Sequence, residues 1–77
     1  GEKVDARLVI PEGQARELLD AGEVQPDGTV LLQKVDKDWL VRTAAGYAPE
    51  VEVLEPAGVR QEVISLLRKA SQSQEEG

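Results

Sequence analysis

The chain has 77 residues and a formal charge of −6, from 15 acidic side chains against nine basic ones. It contains no Cys, His, Met or Phe, and one Trp and one Tyr are its whole aromatic complement. These absences exclude disulfides, thiolate and imidazole metal ligands, Cys and His nucleophile systems and the commonest general base. The acidic balance opposes unaided binding to DNA, RNA or an anionic membrane.

A folded chain of this mass buries only about 60% of the surface it exposes when unfolded, enough for one domain with a modest core. No apolar run approaches the length of a membrane-spanning helix, and Gly1-Glu2-Lys3-Val4-Asp5 resembles no signal peptide, so a cytoplasmic protein is expected. Residues 1–3 read as a linker end, 4–70 as the single domain, and 71–77 as a polar, disordered tail.

In chain order, Val4, Ala6, Leu8 and Ile10 alternate with Asp5, Arg7 and Val9, the period of a strand buried on one face, so 3–10 is a strand. Pro11 suits a helix start, and Ala15, Leu18 and Leu19 share a helical face, which predicts a helix over about 12–21 closed by Gly22. Glu23-Val24-Gln25 leads into the turn Pro26-Asp27-Gly28, and 29–35, rich in branched residues, is the returning strand of that hairpin. Its register is open: Val30 with Leu32, or Leu31 with Val35, would serve as the inward set.

Asp36-Lys37-Asp38 supplies a cap for a short helix from Trp39, with Leu40, Val41, Ala44 and Ala45 inward and Gly46 as a stop. Residues 50–55 alternate cleanly as a last strand, with Val51 and Val53 inward. Pro56 opens a second long helix in which Val59, Val63, Leu66 or Leu67, and Ala70 recur at three- and four-residue steps. Strand, helix, strand, strand, helix, strand and an extra helix is the order of an α+β, ferredoxin-like βαββαβ sandwich. In it the first and third strands are central, and one face of the sheet is left open.

No catalytic residues emerge. Glu50, Glu52, Glu55, Asp36 and Asp38 sit at strand and cap positions that read as solvated, without the burial or like-charged neighbour that a catalytic carboxylate needs. Asp36-Lys37-Asp38-Trp39 fails as a calcium loop because Leu40 and Val41 stand where Asp or Asn and Gly are required. No phosphate-binding Gly motif occurs, and no cofactor or metal is expected. A noncatalytic domain is the reading.

The ligand-contact candidates are Lys37, Trp39, Arg42 and Tyr47. Trp39 and Arg42 stand three apart on one helix face, and an aromatic beside a guanidinium can stack on a base or clamp a phosphate. A structural role competes, in which Trp39 covers the core edge and Arg42 shields it. On the open sheet face, Arg7, Val9 and Leu54 are the interface candidates, because that face mixes more apolar surface with its charges than a bare monomer needs. Scattered surface aliphatics explain it equally well.

The pattern Trp39-Leu40, Gly46, Val51, then Val53-Leu54-Glu55-Pro56 with Val59-Arg60 and Val63, resembles the WCX domain, the C-terminal extension of bacterial WYL-domain transcription regulators. Ala6-Arg7-Leu8-Val9-Ile10-Pro11 and Asp27-Gly28 fit the same module, so the resemblance covers 4 to about 70. Val59 stands where Leu is more usual, and no Tyr closes the final helix.

The resemblance implies a ferredoxin-like module behind WYL and helix-turn-helix domains of the same full-length chain, acting as a homodimer. It also implies help in sensing an effector, in some members single-stranded DNA, together with the WYL domain; this fragment alone would bind nucleic acid weakly or not at all. A freestanding ACT-like small-molecule sensor and a plain protein-interaction domain are the alternatives.

Overall fold

The computed structural model describes residues 1–76, with side chains as far as Ser71. Its elements are β1 (Lys3–Val9), α1 (Arg16–Ala21), β2 (Gly22–Val24), β3 (Val30–Asp36), α2 (Lys37–Gly46), β4 (Glu52–Glu55) and α3 (Ala57–Glu76). The four strands lie in the order β2-β3-β1-β4 with every neighbouring pair antiparallel. This is the α+β, ferredoxin-like arrangement, with β1 and β3 central, β2 and β4 at the edges, and α3 as the additional C-terminal helix.

Alternation along β1 does what its period dictates: Ala6 and Leu8 are buried while Val9 is 41% exposed on the opposite face. Leu18 from α1, Leu32 from β3 and Leu40 from α2 meet Leu8 in a core completed by Val30, Ala44, Val51, Val53, Val59 and Val63. Each fully buried Leu contributes about 1.5–3 kcal/mol of transfer free energy.

The register of β3 is decided by a bulge. Val4 pairs with Val35 and Ala6 with Leu32, so Asp5 stands opposite two residues, Gln33 and Lys34. Lys34 adopts a left-handed backbone, φ 53°, and its N–H donates to Asp5 Oδ1 at 2.8 Å. The extra residue reverses the parity of the strand. Val30 and Leu32 face the helices before the bulge and Val35 packs against the same core after it, while Leu31 pairs with Arg7 on the open face. The inward set therefore joins members of both candidate sets.

A second bulge lies in β4, where Arg7 pairs with Glu55 and Leu8 with Val53, leaving Leu54 as the extra residue. Glu55 thereby joins Glu52 beside β1 residues of the open face.

The first helix starts later than the sequence predicts. Gly13 (φ 80°) and Ala15 (φ 48°) both lie in the left-handed region, which a helix cannot contain, so 11–14 form a turn closed by Gln14 N–H to the Pro11 carbonyl, and α1 begins at Arg16. Gly22 does not close the helix in a left-handed conformation either. Its backbone is extended and it is already the first residue of β2, paired with Leu32. Its lack of a side chain serves close packing: a Cβ there would sit 2.5 Å from Leu32 Cδ2 and 2.7 Å from the Leu31 carbonyl oxygen.

At the C-terminal end, α3 covers α2 and β4 with Val59 and Val63. The same stripe continues into Leu66 and Leu67, which are 37% and 38% exposed. The helical backbone reaches Glu76. Side chains after Ser71, and Gly77, lie outside the described residues, and with them most of the tail expected to be disordered over 71–77.

Candidate functional site

The helix α2, which carries the four ligand-contact candidates, leaves β3 without a connecting residue. Asp36 ends the strand with extended backbone, and its Oδ2 accepts the Trp39 N–H at 3.0 Å, an N-cap that starts the helix one turn before Leu40 enters the core. That hydrogen bond holds the Asp36 carboxyl below its ordinary pKa, with help from the nearby N-terminal amine and Lys3. The helix begins at Lys37, two residues ahead of Trp39, and takes in Gly46 before Tyr47 caps it.

Lys37 lies at the first turn of α2, with its ammonium 3.1 Å from Glu62 of α3 and 3.5 Å from Glu2. These two carboxylates, Glu62 foremost, raise its pKa. Arg42, one and a half turns on, faces the same neighbour: with Asp38 it forms the α2 wall of an open groove of about 350 Å³ whose α3 wall is Glu62, Ser65, Leu66 and Lys69. Val41 forms part of its floor. The groove has two acidic and two basic side chains and a narrow apolar base, a surface suited to a ligand carrying both charges.

Trp39 does not line this groove. It is 37% exposed on a part of α2 turned away from Leu40 and Ala44. Tyr47 lies at the other end of the helix, about 15 Å along the axis from Lys37 at 1.5 Å per residue. It packs against the core, and its hydroxyl donates a hydrogen bond to Glu17 Oε1 of α1, which raises the pKa of the phenol. The four candidates thus divide. Lys37 and Arg42 share the α2–α3 side, while Trp39 and Tyr47 face elsewhere.

Glu62, Ser65 and Lys69, on the opposite wall, were not among the candidates. The signal existed in their spacing, three and four residues apart on one side of the Val59–Val63 stripe. It is legible only once α3 is known to lie beside α2 and not over the sheet alone.

On the open sheet face Arg7 is half-buried within a hydrogen-bonded cluster. Its guanidinium lies 3.3 Å from Asp27 Oδ2, 3.3 Å from Thr29 Oγ1 and 3.5 Å from Glu55 Oε2. Asp27 also accepts from the Thr29 hydroxyl and N–H, and these bonds, ahead of the Arg7 charge, lower its pKa. Val9 is exposed beside this cluster, and Leu54 is half-buried at the β4 bulge.

Among the described residues no three acidic side chains gather as a metal site, and no helix is long and apolar enough to cross a membrane. The fold and its surface define a small α+β domain built on a ferredoxin-like sheet, with a surplus helix that creates a mixed-charge groove against α2. The WCX domain family model matches residues 2–71, and the chain belongs to that family. Membership suggests a regulatory C-terminal module of a WYL-type regulator. No curated protein matches the chain, and no solved structure does.

Proposed function

We propose that this chain is the noncatalytic regulatory extension of a bacterial WYL-type transcription regulator, working in the cytoplasm as part of a homodimer. It contributes to dimerisation and to sensing of an effector, single-stranded DNA among the candidates, together with WYL and helix-turn-helix domains of the same full-length chain. The observation that carries this reading is the family match over 2–71, which spans nearly every element of the fold.

The charge of −6 supports a division of labour in which the WYL domain holds most of a nucleic-acid effector and this module adds a few contacts from Lys37 and Arg42. The exposed Val9 beside the Arg7 cluster gives the open sheet face a surface for packing against a neighbouring domain or copy.

The test uses the full-length regulator with and without residues 1–77. Loss of the dimer in sedimentation, together with loss of the transcriptional response to single-stranded oligonucleotides, is the expected result. An intact dimer with an unchanged response overturns the proposal, as does a gene without upstream WYL and helix-turn-helix segments.

A second reading, a freestanding ACT-like small-molecule sensor, draws on the mixed-charge α2–α3 groove. A melting-temperature rise with amino acids and none with oligonucleotides would favour it.

A further inference from the structure

The outer edge of β4 carries no partner strand. Among the described residues β4 pairs with β1 alone, so one side of Glu52–Glu55 presents its backbone N–H and C=O groups outward. Beside that edge runs a second groove, of about 320 Å³, between β4 and α3. Glu52 and Val53 line it from the strand, Val51 from the residue before it, and Val63, Ile64 and Leu67 from the helix. An unpaired strand edge next to an apolar groove under a helix is the arrangement by which domains bind an extended segment as an added strand: backbone hydrogen bonds hold it, and alternate side chains enter the groove.

Charge decides what that segment is. Glu52 pairs with Val9, on the face away from the helices, and has no cation within ion-pair distance among the described residues. Glu55 lies on the same face and is shared with Arg7. A second copy of β4 laid antiparallel, with Glu52 opposite Glu55, would set like charges directly across the strands, which is destabilising. A basic side chain opposite Glu52 makes the favourable cross-strand pair. On the other side the groove holds one charge of each sign at its margin, Arg60 from α3 and Glu52 from the strand, and its remaining lining is apolar, so it takes an apolar side chain. The occupant must therefore alternate, apolar residues toward α3 and basic residues toward the open sheet face.

We propose that the β4 edge and the β4–α3 groove bind an extended protein segment of alternating apolar and basic residues, which adds to the sheet as a fifth strand. This goes beyond the regulatory role above and does not depend on it.

The test titrates the 77-residue protein with fluorescent peptides and follows anisotropy. The peptides are Val-Lys-Val-Lys-Val, its block isomer Val-Val-Val-Lys-Lys, the acidic Val-Glu-Val-Glu-Val, and the alternating basic peptide with N-methylated backbone. The expected result is at least tenfold tighter binding of the alternating basic peptide than of the other three. Binding should slow amide exchange in 52–55, and Glu52→Lys should reverse the preference between the Lys and Glu peptides. Glu52 is exposed, so this variant keeps its fold, which circular dichroism verifies.

Equal binding of the block isomer or of the N-methylated peptide overturns the proposal, as does binding of none of them at millimolar concentration. A dimer whose 52–55 amides are already protected without peptide also overturns it, since a second copy then holds the edge.

Discussion

Asp5 Oδ1 accepts the backbone N–H of Lys34 at 2.8 Å, and this contact between β1 and β3 secures the bulge that keeps Val30, Leu32 and Val35 on one face. Without the bulge, a strand of strict period two would turn either Val35 or the Val30–Leu32 pair to solvent. Asp5→Ala should cost about 1–2 kcal/mol, the loss of a charge-assisted hydrogen bond, in denaturant unfolding. Lys34→Val should cost about 1–2 kcal/mol even though Val favours strands, because a β-branched side chain is strained at φ 53°. A stabilised Lys34→Val protein would show that the bulge does not persist in solution.

The glycines separate by what surrounds them. Gly22→Ala places a methyl 2.5 Å from Leu32 Cδ2 and should cost about 1–3 kcal/mol by overpacking. Gly58→Ala, in the first turn of α3 with open space around it, should stabilise by about 0.5–1 kcal/mol. Thermal unfolding of the two variants side by side tests both signs.

In acid, stability should fall through Asp36 and Asp27. Both carboxyls titrate lower in the folded protein than in the unfolded chain, so their contribution is complete above the ordinary carboxylate pKa, about 4, and is lost as the pH drops through the folded value. Asp36→Asn keeps a capping acceptor for the Trp39 N–H but cannot titrate. Its melting temperature should therefore decline less than the parent's between about pH 5 and pH 2, from about one unit above that ordinary value to about two below it; parallel curves would remove Asp36 from the acid transition.

The alkaline limb has the opposite sign. The Tyr47 phenol, donating to Glu17, and the Lys37 ammonium, beside Glu62 and Glu2, both titrate higher when folded. Their contribution is complete below the unfolded pKa values, about 10, and fades as the pH rises through the folded ones. Tyr47→Phe should be less stable than the parent near neutrality, and the gap should close above pH 10, as read from melting curves across that range.

Arg42→Ala in the intact regulator should weaken the effector response more than it lowers the melting temperature, because Arg42 is exposed on the groove wall and has no part in the core. Equal responses in parent and variant would remove Arg42 from the site.

Elements with a strong period were legible in the sequence: β1, the inward face of α2, Val51 with Val53, and Val59 with Val63 were placed by alternation or helical spacing alone. What stayed hidden depends on backbone that breaks a period. The late start of α1 reflects left-handed Gly13 and Ala15, and an Ala in that region carries no sequence mark. The bulges at Lys34 and Leu54 each add one residue, which a pattern of two cannot reveal from one strand. Of the candidate site, the sequence offers Lys37 and Arg42 as residues but not their surroundings: their placement beside Glu62 and Lys69 comes from the packing of α3 on α2, a contact between distant segments.

Two junctions of this domain contain no loop. Ala21 ends α1 and Gly22 begins β2, and Asp36 ends β3 and Lys37 begins α2. A residue inserted after Asp36 would turn α2 by about 100° and carry Leu40 out of the interior, and one inserted after Ala21 would shift β2 along β3 and move Gly22 away from Leu32. Length variation among relatives should therefore collect at 10–15, 25–29 and 47–51, the segments where the chain already turns, and those are also the positions where a fluorescent tag or an engineered peptide can be grafted with the sheet left intact.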